Sequence, residues 1–129
     1  MDLNSFNNMS IFSNLPKDRI IHQSENFFLI FDSFPVSPGH VLIISNEPKD
    51  HFFSLSQTEL QGLSAMILKA KEMIEQQYQP DGYNIGVNCG EAAGQTVPHF
   101  HCHVIPRYQG DMARPQGGIR HCVEGKGYY

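Results

Sequence analysis

Two runs carry the highest density of apolar residues, "NFFLIFD" at 26–32 and "HVLIISN" at 40–46. Both are rich in β-branched and aromatic side chains, which predicts two strands. "SFPVSPG" lies between them, and its prolines and glycine mark a loop. The link is short, so the strands are expected to be antiparallel neighbours. The period then changes. "SQTE" at 56–59 has the form of a capping box. Leu60, Leu63, Ile67, Ala70, Ile74 and Tyr78 recur at helical spacing, predicting an amphipathic helix over 57–78. Pro80 and Gly82 in "QPDG" end it. "YNIGVN" returns to alternation, with Tyr83, Ile85 and Val87 on one face and Asn84 and Asn88 on the other. "CGEAAGQT" is a loop of small residues, and "PHFHCHVIPRY" is the last strong strand. The weaker "RIIHQSE" adds an edge strand. The order ββαββ with short links, plus that edge, predicts an α+β domain: a five-stranded antiparallel sheet with one long helix on one face.

Composition narrows the class without choosing a chemistry. The chain has 129 residues, enough for one domain with one core. Hydrophobic residues make up 40% and charged residues 17%, as in a folded soluble protein. A net charge of -4 gives no general attraction to nucleic acid or to an anionic membrane. The tail differs locally: Arg107, Arg114, Arg120 and Lys126 face only Asp111 and Glu124. It can meet an anion or lie as a solvated surface. Cys89, Cys102 and Cys122 are an odd set without metal-type spacing, which argues against a disulfide framework and for a reducing, cytoplasmic location. "MDLNSFNNMSIFSNLPKD" has no basic region followed by a long apolar stretch, so no signal peptide is expected. No run approaches the ~20 apolar residues needed to cross a bilayer.

The candidate chemistry is in "HFHCHVI" at 99–105, which holds three of the chain's seven histidines. On a strand, His99, His101 and His103 form a row on one face, while Phe100, Cys102 and Val104 point to the other, toward the helix. The row can be a polar face, a metal site or a nucleophilic centre. Histidine is a common metal ligand, but a structural zinc site usually wants four ligands, often with cysteine. A neutral imidazole attacks phosphorus and splits one displacement into two easier ones. The preceding loop favours that third reading. Its small residues let backbone N–H groups approach an anion, with Asn88, Gln95 and Thr96 as further donors. It is not a P-loop, since no Lys-Ser/Thr follows the glycines.

"HFHCHVI" resembles the signature of the histidine triad family of nucleotide hydrolases and transferases. The similarity runs back through "NCGEAAGQTVP" to "DSFPVSPGHVLIIS" and covers about residues 10–108, leaving a basic tail at 109–129. "GEAAGQTVPHFHCHVIPR" is most similar to the fragile-histidine-triad branch, whose members cleave dinucleoside polyphosphates. The resemblance implies that His101 is the nucleophile, attacking a nucleotide α-phosphorus to give a nucleotidyl-histidine that water hydrolyses. His99 and His103 would flank it, orienting its ring and contacting phosphate oxygens. His40 in "PGHV" matches a fourth family histidine. Gln95 and Thr96 match positions that hold the phosphates and the leaving group, and Asn88 a phosphate- or ribose-side asparagine. Asp32 matches an acid that binds ribose hydroxyls, and Ile30 the apolar wall beside the base. On the residues alone, Asp32 also reads as a turn initiator and His40 as a strand-end surface histidine.

The resemblance further implies a homodimer that joins two sheets into one larger sheet. Many relatives bind zinc through Cys-x-x-Cys near the first strand together with two histidines. Here Ser10 and Ser13 stand at the cysteine positions, with His51 and His99 at the histidine positions. Hydroxyls are poor zinc ligands, so no structural zinc is expected. No tightly bound cofactor is implied, and magnesium enters only as a companion of polyphosphate. The expected activity is hydrolysis of a diadenosine tri- or tetraphosphate type substrate with release of AMP. The rivals are a nucleoside phosphoramidate hydrolase, a dinucleoside polyphosphate phosphorylase, and a non-catalytic nucleotide-binding module. "GQT" at 94–96 argues against the phosphorylase. Arg114 and Arg120 would contact distal phosphates or the partner subunit.

Overall fold

The computed structural model describes residues 9–129; the part of the opening segment before Met9, on which the absence of a leader was also read, lies outside them. The elements are β1 (Ile20–Gln23), β2 (Phe27–Phe31), β3 (Val41–Ser45), α1 (Gln57–Glu75), β4 (Gly82–Gly86) and β5 (His101–Arg107). They form a five-stranded sheet in the order β1-β2-β3-β5-β4, antiparallel throughout. The α+β architecture expected from the sequence is therefore the one found, and the weak "RIIHQSE" segment does supply the edge strand.

The sheet splits the apolar residues into two cores by strand alternation. Phe27, Leu29, Val41, Ile43, Phe100, Cys102 and Val104 are buried beneath α1, which contributes Leu63, Ala70 and Ile74. The opposite face holds a smaller core of Phe12, Phe28, Ile30, Leu42 and Ile44. Cross-strand register places the histidines on this second face: Ile30 pairs with Leu42, which pairs with His103, and Phe28 pairs with Ile44, which pairs with His101.

The capping box of α1 forms in both directions. The Ser56 Oγ accepts from the Glu59 N–H at 3.1 Å, and the Glu59 carboxylate accepts from the Ser56 N–H at 2.7 Å. The helix is shorter than its periodicity suggests. The N–H groups of Gln77 and Tyr78 both turn back to the Ile74 carbonyl, closing it at Glu75. Leu60, counted on the apolar stripe, is 39% exposed at the first turn and does not belong to the core.

The tail folds on itself and onto β4. A 3-10 segment at Gly118–Cys122 lies against that strand. The guanidinium of Arg114 stacks 4.1 Å over the Tyr128 ring, and that of Arg120 sits 4.8 Å over Tyr129. Arg120 also donates to the carbonyls of Gly127 and Lys126 at 3.2 Å each. The two arginines suggested for distal phosphates are thus engaged in shaping the tail. Among the described residues no helix is long and apolar enough to cross a membrane, and Cys89, Cys102 and Cys122 are free.

Candidate active site

The three histidines are not an even row. β5 begins at His101, because the chain turns at Pro98, where the His99 N–H closes back onto the Val97 carbonyl at 2.8 Å. His99 therefore precedes the strand and is only 1% exposed. Its Nε2–H donates to the Ser45 carbonyl at 2.8 Å, so its Nδ1 carries the lone pair that accepts from the Ser10 hydroxyl at 2.6 Å. With both ring nitrogens engaged, the His99 imidazole is an anchor, and the expectation that it contacts phosphate oxygens is replaced. Its carbonyl does the orienting. The Nδ1–H of His101 donates to the His99 carbonyl at 2.8 Å. A carbonyl only accepts, so the proton is fixed on Nδ1 and the lone pair of His101 on Nε2.

The same reasoning fixes His40 and His103. The Nδ1 of His40 accepts from the Val36 N–H at 3.2 Å, which puts the His40 proton on Nε2. That proton points to the Nδ1 of His103 at 3.0 Å, so His103 carries its own proton on Nε2. The His103 and His101 rings meet edge-on with centroids 5.3 Å apart. An Nε2 lone pair thus lies beside an Nε2–H donor, and among the described residues no hydrogen bond engages either. Burial lowers the pKa of His40, opposed by the charge of Asp32. Burial, with the neighbouring His101 and His40, pushes His103 down to about 4. Burial also lowers His99, opposed by its bond to Ser45. His40 is 3% exposed, so it is no surface residue.

Asp32 opens the turn and also reaches a histidine of the site. One carboxylate oxygen accepts from the Phe34 N–H at 2.9 Å, opening the turn, and the other lies 3.5 Å from His40 Nε2. Asp32, His40 and His103 offer ligand atoms within 4.8 Å of one another. They do not fit a resident metal, since the lone pair of His40 faces the Val36 N–H rather than the group. The positions matched to zinc ligands fail for a related reason. Both nitrogens of His99 are hydrogen-bonded, and the Ser13 Oγ accepts from the Ser10 N–H at 3.0 Å.

The loop before the triad is braced rather than open. Gly90 and Gly94 adopt φ of +91° and +92°, which only glycine enters without strain. The N–H groups of Ala93 and Gln95 turn back to the Gly90 carbonyl, and that of Gly94 to Glu91. The side chain of Gln95 accepts from the Gly90 N–H at 2.8 Å and donates to the carbonyls of Asp50 and Val97. Gln95 thus holds the loop's shape, and these N–H groups are not open to an anion. Thr96 and Asn88 are exposed. Ile30 is 2% exposed, sealed within the smaller core. Sequence reasoning missed Phe12. Its ring lies edge-on to His99 at 5.7 Å and to His101 at 5.2 Å. No periodic segment surrounds it, so only the proximity in the fold reveals it.

A family model, the HIT domain, matches residues 14–110. An uncharacterized 16.1 kDa HIT-like protein of Mycoplasma pneumoniae is 40% identical over 110 residues, spanning 80% of this chain and 74% of that protein. An asymmetrical bis(5'-nucleosyl)-tetraphosphatase of Schizosaccharomyces pombe is 39% identical over 79 residues, 61% of this chain and 43% of that enzyme. The crystal structure of the Caenorhabditis elegans NitFhit protein superposes with a TM-score of 0.72 at 34% identity, covering 78% of this chain and 24% of that one. The triad geometry and these likenesses agree, and the chain belongs to the histidine triad family, on its fragile-histidine-triad-like branch.

Proposed function

We propose that this protein hydrolyses a dinucleoside polyphosphate of the diadenosine tri- or tetraphosphate type at an α-phosphorus through His101. The observation that carries the reading is the chain of fixed protons. The His99 carbonyl holds the His101 proton on Nδ1, which leaves Nε2 free to attack. In the first step the Nε2–phosphorus bond forms and the bond from phosphorus to the bridging oxygen of the leaving polyphosphate breaks. In the second, water attacks phosphorus, the phosphorus–nitrogen bond breaks and AMP leaves. The His103 Nε2–H donates to a phosphoryl oxygen as charge develops. Burial keeps His103 neutral, His40 backed by Asp32 orients it, and Gln95 shapes the loop that brings Thr96 and Asn88 to the phosphates. Likeness to a named tetraphosphatase supports the substrate class.

In this reading the protein works in the cytoplasm as a homodimer that joins two sheets into one larger sheet, with β4 standing at one edge of the sheet in each protomer. It needs no tightly bound cofactor and no structural zinc; magnesium only accompanies the substrate. Stoichiometric zinc in elemental analysis of the purified protein would overturn the last point. The main test is a panel of diadenosine tri- and tetraphosphate and adenosine phosphoramidate, with and without phosphate, followed by product analysis. AMP plus the remaining nucleotide, independent of phosphate, is expected. His101→Ala should abolish turnover with nucleotide binding retained, and a variant with near-wild-type rate would remove the mechanism.

A further inference from the structure

A cavity of about 910 Å³ opens on the β4–β5 side of the histidines. His40 and His103 line it, but Asp32 and Ile30 do not. Most of its remaining wall is apolar, including Val87 and Ile105 together with Ile119 and Val123 of the tail. Its size falls in the range of small-molecule sites, and it combines an apolar lining with a few polar groups, here including Asn88. The tail residues are held there deliberately. Gly117, at φ +96°, packs so closely on the Gly127 carbonyl that no side chain fits between them. The His121 Nε2–H donates to the Gln116 carbonyl at 2.8 Å, and its ring stacks edge-on against Tyr128 at 4.4 Å. Arg120 clamps the carbonyls of Lys126 and Gly127. This frame presents Ile119 and Val123 at fixed positions, yet leaves them 62% and 58% exposed. Ile119 lies over Gly86, where an added Cβ would come within 3.2 Å of its Cδ1. Gly86 in turn pairs with His103. Apolar side chains held rigidly in the open beside a reactive centre gain little for folding and suit a bound apolar group.

We infer that this cavity binds the nucleoside of the leaving nucleotide, and that Ile119 and Val123 form its specificity-determining wall. The inference rests on the hydrolase reading above. In-line displacement sends the leaving polyphosphate away from the attacking Nε2 of His101, and His101 does not line the tail-walled cavity whereas His103 does. The tail-walled cavity adjoins His103, and neither Asp32 nor Ile30 lines it. A purine offers a flat apolar surface to Ile119 and Val123 and ring nitrogens to a polar rim.

The test compares two substrates sharing the adenylyl group: diadenosine tetraphosphate, with a nucleotide leaving group, and adenosine phosphoramidate, which releases only ammonia. In Ile119→Ala/Val123→Ala the KM for diadenosine tetraphosphate should rise about tenfold. Product inhibition by ATP should weaken to a similar degree, while kcat/KM for the phosphoramidate and inhibition by AMP stay at the wild-type level. The unchanged phosphoramidate rate also reports that the variant is folded. Should the double variant lose both activities together, Val123→Ser serves instead, with a rise in KM for the dinucleotide of roughly threefold. Equal effects on both substrates in Val123→Ser, or no effect on either, would overturn the subsite while leaving the hydrolase reading intact. A wild type that cleaves the phosphoramidate but not the dinucleotide would overturn the hydrolase reading itself, and the subsite with it.

Discussion

Replacing Ser10 by alanine tests the claim that the N-terminal turn anchors the triad. The Ser10 hydroxyl donates to Nδ1 of His99 at 2.6 Å and accepts from the Phe12 N–H at 3.1 Å. His99 is 1% exposed, so the Nδ1 lone pair has no ready access to solvent when the hydroxyl is gone. Leaving a buried acceptor unpaired costs about 1–3 kcal/mol. The space vacated is that of a single hydroxyl, too small for a water with partners of its own. A chain of 129 residues unfolds with an entropy near 0.27 kcal/mol/K at about 2.1 cal/mol/K per residue, so the melting temperature should fall by roughly 4–11 °C. Calorimetry or circular dichroism measures this directly. Ser13→Ala is the control, since its hydroxyl only accepts from the Ser10 N–H at an exposed position; its change should stay within about 0.5 kcal/mol. Activity follows the anchor, because the His99 carbonyl orients His101. In Ser10→Ala kcat should fall more than KM rises, and Ser10→Thr should restore much of it. A Ser10→Ala variant that melts within a degree of wild type with unchanged kcat would refute the reasoning.

Two further outcomes follow from burial around the histidines and behind them. His103 has its pKa lowered from 6.5 to about 4, and His40 and His99 move the same way. The unfolded chain therefore binds more protons between these values, so stability is full above pH 6.5 and is lost as pH falls toward 4. The melting temperature should drop between pH 7 and 5, less so in His103→Gln; identical slopes in the two proteins would contradict the assignment. Gly39 precedes His40 at φ +88°, and a Cβ there would stand 2.9 Å from the Tyr78 ring and 3.3 Å from Ile74. Gly39→Ala should cost about 2–4 kcal/mol from left-handed strain and crowding, measured by denaturant titration, and reduce activity through His40. A variant as stable as wild type would show that the loop yields freely.

Much of the fold was legible because its signals are local. "SQTE" states its hydrogen bonds within four residues, and both form. Alternation in "HFHCHVI" sends Phe100, Cys102 and Val104 to the helix side irrespective of what covers the other face. Even the short "RIIHQSE" carried enough apolar pattern to be placed at the sheet's edge. Element ends were less legible. The closure of α1 at Glu75 depends on how Tyr78 reaches the core, and the start of β5 at His101 depends on the turn at Pro98 and the pairing with β3.

The sequence by itself determined the sheet, the helix and the family, and it singled out His101 as the proposed nucleophile. These depend on periodicity, capping and a compact motif, all settled by neighbours along the chain. Only the tertiary structure decided what each nitrogen does. The protons of His99, His101, His103 and His40 are fixed by Ser45, Ser10, the His99 carbonyl and Val36. Ser45 is 54 positions from His99 and Ser10 is 89. Gln95, which looks like a ligand donor in "GQT", becomes a brace because Asp50 comes within reach of its amide. Arg114 and Arg120 look available for phosphate until Tyr128 and Tyr129 fold back over them. A hydrogen bond is short and directional, so the role of a polar side chain is set by whichever group the fold brings to its atoms, and spacing along the chain does not encode that meeting.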